Sequence, residues 1–243
     1  MDHPDDFSRY LYFVLAACQD AIEPPGPTGG AHLKALPQLA ANHFASAVDA
    51  AAMANAAGRH AFALGLARHA FESLTIIELN PLDTPDSWNQ LVRWEEGKRT
   101  AGELRKWLTE SAWSGYRPGL FGEPWPDFAS TLGRALQPYA HFSPELLQWN
   151  LSIVAADEKG HPRLAGIGPQ FFDEDKATRL EVLRGVLLWS LGTLLVHHVG
   201  PSSEVTSVKT VLGSLARGLV ASDWLVGDAD WVTNLIPHVL SIG

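Results

Sequence analysis

Arg134-Ala135-Leu136-Gln137-Pro138-Tyr139-Ala140-His141-Phe142-Ser143-Pro144 closes a run, residues 58–150, that reads as four helical segments. Apolar side chains recur there at three- and four-residue spacing, which predicts amphipathic helices over 59–79, 86–96, 100–113 and 127–139. Pro81 and Pro85 bracket one turn, and Gly97 separates the second segment from the third. Residues 115–126 form a loop with three prolines, three glycines and the aromatics Tyr116, Phe121 and Trp125. Leaving those rings in water would be costly, so the loop is expected to pack onto the helices.

Outward from that run, helical spacing continues. Residues 36–57 form an alanine-rich helix, alanine having the best intrinsic helix propensity. A first helix is expected over 5–23, with Asp5 and Asp6 at the positive end of its dipole and a Pro/Gly linker over 24–30 after it. Ser143 and Pro144 read as the N-cap and first position of another helix. Alternation then replaces helical spacing around the polar turn at 157–162, predicting a β-hairpin over 148–167. Asp173-Glu174-Asp175 opens a long helix to about 198, followed by helices at 204–221 and 230–240. The fold class expected is mainly all-α: an antiparallel helical bundle with one small hairpin. Its single domain, 1–243, has a bundle core over 36–145 and C-terminal helices within 172–240. Leu187, Leu191, Leu194 and Leu195 are expected in the core.

With 243 residues the chain can bury a core without a disulfide or metal staple, and its single cysteine, Cys18, fits a reducing cytoplasm. The acidic start, Asp2-His3-Pro4-Asp5-Asp6, argues against a secretory signal. The apolar run over 186–199 looks too short to cross a bilayer and reads as a core helix, so no membrane partner is expected. A net charge of −9 gives no general attraction to nucleic acid. Arg93, Lys98, Arg99, Arg105 and Lys106 make a local basic group, but Glu95, Glu96 and Glu103 interleave with it, as on a solvated helix face.

Strong chemical signatures are absent: there is no phosphate loop, no His-Glu-x-x-His, no Cys-x-x-Cys and no nucleophile elbow. No metal and no cofactor are expected. His197 and His198 are neighbours on a helix and should diverge, as should His60 and His69, nine apart. Arg68 and Glu72, at i and i+4 in an apolar helix, share a face. Either they form a structural pair that fixes helix register, or they contact a ligand. Asn42, Ser46 and Asp49 form a polar stripe best explained by solvent.

Arg134 and His141, separated by six residues, carry a family resemblance. The arrangement resembles the HEPN superfamily, helical bundles that often carry an Arg, four to six residues, then a His. The likeness covers about 58–150. It extends to bacterial HEPN-like proteins in which an Arg-Glu helix (Arg68, Glu72) precedes a Gly-Lys/Arg segment (Gly97-Lys98-Arg99) and a Tyr-His element (Tyr139, His141). The resemblance implies a metal-independent RNA endonuclease, of the toxin or defence-effector kind, with a composite site across a homodimer. In it His141 would move the proton and Arg134 would stabilise the phosphate charge. The chain departs from that pattern at Ala135, often polar in active members, and at Pro138, which breaks the helix between the pair.

Two principal readings follow. The leading one is a HEPN-like non-catalytic interaction or ligand-binding module, with Arg68, Glu72 and Tyr139 as binding or structural polar residues. The alternative is the RNA endonuclease. A remoter option is a scaffold subunit whose nine tryptophans anchor interfaces.

Overall fold

The computed structural model describes residues 12, 14, 16, 32–82, 84–116, 118–156, 162–167, 172–198 and 203–220. The expected helices at 5–23 and 230–240 and the linker at 24–30 lie outside these, apart from Tyr12, Val14 and Ala16, which are helical. The fold is all-α. Its helices are α1 (His32–Ala56), α2 (His60–Leu82), α3 (Pro85–Glu95), α4 (Ala101–Ser111), α5 (Trp125–Leu136), α6 (Pro144–Gln148), α7 (Glu174–His198) and α8 (Ser203–Val220).

An antiparallel hairpin of α1 and α2 makes the largest packed surface. Ala41, Ala45, Ala51 and Ala54 of α1 are buried, as are Ala63, Ala67 and Ala70 of α2. Small side chains on both partners let the backbones approach closely, which is the packing consequence of the alanine bias. Gly58 closes the hairpin with φ 71°, a left-handed conformation that a side chain disfavours. The Arg59 amide then bonds back to the Ala54 carbonyl at 2.8 Å.

α3 and α4 each begin with a reciprocal cap: Thr84 with Ser87, and Thr100 with Glu103. The loop at 115–126 packs down as expected, with Leu120 buried and Tyr116 and Phe121 against the core. Trp125 opens α5 two residues earlier than its periodicity predicts and joins Phe128 and Trp189, the latter two rings 5.3 Å apart. Between α6 and α7 the backbone pairs Leu151–Ala156 with Pro162–Ile167 antiparallel, Leu151 opposite Ile167. The side chains of these strands and the turn between them lie outside the described residues.

α7 is the central strut, packed on α2, α1 and α8. Leu187, Leu191, Leu194 and Leu195 are all buried. As a 25-residue helix with an 18-residue window of mean hydropathy 1.4, α7 is long and apolar enough to cross a membrane. Length therefore does not exclude a span; what makes α7 a core helix is that 89% of that window is buried in the fold. Gly192 sets the approach of α8, because a Cβ there would lie 2.5 Å from Leu212 Cδ2.

Candidate functional site

Arg68, Phe71, Glu72 and Thr75 fall at i, i+3, i+4 and i+7 on α2 and so share one face. That face meets α4, α5 and the short 3-10 turn Gln137–Ala140. Arg68 Nη2 donates to Glu72 Oε1 at 2.6 Å and to Gln137 Oε1 at 3.2 Å. Its Nη1 reaches the Gly133 carbonyl at 3.5 Å, and its Nε is buried with no hydrogen-bond partner. The pair is lopsided: the Arg68 side chain is 5% exposed and that of Glu72 37%.

A second guanidinium lies against the same face. Arg105 of α4 lies 4.8 Å from the Phe71 ring centroid, Arg68 5.9 Å from the same ring. Arg105 also donates to Thr75 Oγ1 at 3.4 Å. Gly133 faces the same group: a Cβ there would press on the Phe71 ring at 3.3 Å and touch Arg105 Nε at 3.5 Å, an ordinary contact. Burial lowers the Arg105 pKa to about 10, helped by the charge of Arg68 and opposed by Glu72. It stays charged at neutral pH, so among the described residues two guanidiniums face one carboxylate. This corrects the expectation that Arg105 belongs to a solvated basic face. The missed signal is its place beside Leu104 and Leu108, both buried, on the flank of the apolar stripe of α4.

The Arg134–His141 segment borders this cleft. Pro138 ends the α-helix at Leu136 and tightens the chain into the 3-10 turn, whose Gln137 holds Arg68. Arg134, on the last turn of α5, is exposed and donates to Thr131 Oγ1 at 3.2 Å. His141 follows the turn in extended conformation and is exposed, as is Phe142 beside it. Tyr139 is buried, its ring 6.4 Å from Trp149, and burial raises its pKa. It packs the base of the turn.

Two further polar clusters were not singled out by spacing. Glu78, on α2, is buried, and Trp113 Nε1–H donates to its Oε1. Tyr116 bonds both Glu78 and His198 Nε2. Burial lifts the Glu78 carboxyl to about 8, against the two hydrogen bonds that favour its ionised form. Burial, with the charge of His197, drops His198 to about 4. With Glu78 neutral the groups can pair in sequence, the acid donating to Tyr116 and Tyr116 donating to neutral His198. His197 and His198, expected to diverge, both contact the Tyr116 ring, at 4.0 and 5.4 Å. The signal for Glu78 was an acid in line with Phe71, Leu74 and Leu82 on the core stripe.

His60, also buried, clasps the hairpin turn to α7. Its Nδ1–H donates to Asn55 Oδ1 at 2.8 Å, and its Nε2 accepts from the Asp173 amide at 3.2 Å. Asn55 in turn donates to the Ala177 carbonyl at 2.9 Å. Both ring nitrogens are engaged by the neutral tautomer, and burial lowers the pKa. The nearby recess among Val48, Ala51, Asn55, Leu180 and Arg184 has room for about one water. Asn42, Ser46 and Asp49 are exposed. Among the described residues no group of three or more His, Cys, Asp or Glu could hold a metal. The chain matches no protein-family model, no curated protein and no solved structure.

Proposed function

We propose that the chain is a HEPN-like ligand-binding or interaction module without turnover, and that the cleft between α2, α4 and α5 is its site. One observation carries this reading: among the described residues Arg68 and Arg105 share one partly exposed carboxylate, Glu72. Apolar residues of similar volume would serve stability as well as buried charges do. Like charges held together at the edge of a core are therefore a functional candidate with a physical rationale. Tyr139 and Gln137 support the cleft wall.

The test is thermal unfolding of wild type and Arg105→Met with a panel of small anions and neutral compounds. A stabilisation by anions that disappears in Arg105→Met is expected; no Arg105-dependent ligand in the panel would overturn the reading. A second reading, the metal-independent ribonuclease, is favoured by the exposure of both Arg134 and His141 on adjoining turns. In it the protein acts as a cytoplasmic homodimer on RNA. Its test is total RNA incubated in EDTA with wild type and His141→Ala, read beside sedimentation of the protein. Cleavage by wild type that is lost in the variant would replace the first reading.

A further inference from the structure

Resting on the ligand-binding reading, we infer that the cleft takes a phosphate oxyanion, which displaces the Glu72 carboxylate from Arg68 and bridges the Arg68 and Arg105 guanidiniums. Three features of the site lead there.

The first is charge. With Glu72 in place the site holds two cations and one anion among the described residues. Moving Glu72 into water and admitting a phosphate dianion balances the site. A carboxylate ligand would only restore the present excess. The planar guanidinium also matches phosphate oxygens two at a time.

The second is unequal anchoring. Glu72 is the exposed member of the pair, so rotating its side chain outward costs little desolvation. Arg68 keeps Gln137 Oε1 and the Gly133 carbonyl as acceptors when Glu72 leaves. Arg105 keeps the Phe71 face and Thr75. The two donors therefore stay in place while the carboxylate moves, and such preorganisation lowers the cost of binding.

The third is the surrounding wall. Thr75 and Gln137 add a hydroxyl and an amide beside the guanidiniums. Glu72 is then an internal competitor that occupies the position of the ligand.

Glu72→Gln keeps the size of the side chain and removes the competing charge. Inorganic phosphate, titrated by calorimetry at constant ionic strength made up with chloride, should bind this variant at least about tenfold more tightly than wild type. It should also raise the variant's Tm by on the order of 5 °C at saturation. Adding Arg105→Met to Glu72→Gln should abolish both effects. If Glu72→Gln does not fold in chloride, folding should be recovered by graded phosphate. Glycerol 2-phosphate, run alongside, tells an esterified phosphate from the free ion, the tighter of the two naming the source.

Phosphate acting no better than chloride on Glu72→Gln, or equally on wild type, overturns the inference. If the ligand panel still shows Arg105-dependent binding, the ligand-binding reading survives that failure. If no ligand depends on Arg105, both fall.

Discussion

Arg68 and Glu78 stand ten residues apart on the same helix, both almost wholly buried, and the fold treats them in opposite ways. Arg68 cannot shed its proton, so it keeps its charge and reaches to Glu72 at the solvent edge. Glu78 can take up a proton, and in a sealed setting against Trp113 and Tyr116 it does so up to about pH 8. One end of α2 is thus charged and open, the other neutral and closed. The lesson is that burial does not decide ionisation by itself; what decides is whether the group can neutralise and whether a counter-charge can stand in water nearby.

The largest expected effect tests the closed end. The folded pKa of Glu78 is raised, so its native-state contribution is fully present below the unfolded value of 4.5. It is lost as pH rises through about 8. Stability measured by urea unfolding should therefore fall by on the order of a few kcal/mol between pH 6.5 and 9. Glu78→Gln, which mimics the neutral acid, should flatten that slope; an unchanged slope would mean that Glu78 is ionised in the native state and that the contrast with Arg68 is false.

At the open end, Glu72→Ala should cost about 1–3 kcal/mol. That is less than for a sealed pair, because water screens a carboxylate that is 37% exposed. An unaltered Tm would show that Gln137 and Gly133 satisfy Arg68 without it.

A smaller, acid-side effect sharpens the comparison. His60 and His198 have lowered folded pKa values, so their contribution is present above the unfolded value of 6.5. It is lost as pH falls towards the folded values, about 4 for His198. Between 4.5 and 6.5 this loss opposes the gain from protonated Glu78. The Glu78→Gln protein should consequently show steeper acid destabilisation than wild type over that window. Equal acid slopes in the two proteins would mean that Glu78 titrates as it does in the unfolded chain, and a flat acid limb in Glu78→Gln would mean that the histidines do.

The smallest effect is expected at the turn. Arg134→Ala and His141→Ala remove exposed side chains and should change stability by no more than about 0.5 kcal/mol. A larger loss in either would show the turn to be part of the frame that holds Gln137 against Arg68.

Much of the helical frame was legible because its signals are local. The Gly58 turn, the break at Pro138, the Ser143 cap and the buried face of α7 each follow from a few neighbouring residues. The Arg68–Glu72 contact was legible for the same reason, being one helical turn long. Arg105 and Glu78 were not, because their roles depend on partners 30 or more positions away, Thr75 for one and Trp113 for the other. In a charge count Arg105 looks like any other residue of a basic stripe. The Phe71 ring and the Thr75 hydroxyl hold it against the core.

By itself the sequence determined where helices start and stop and which of their faces are apolar, because capping, propensity and periodicity act over one or two turns. It also placed Arg68 beside Glu72. Tertiary structure alone decided which charges share a cleft, which acid is sealed from water and which histidines meet one tyrosine. Those outcomes depend on how helices far apart in the chain come together, and on the desolvation that this imposes on each titratable group.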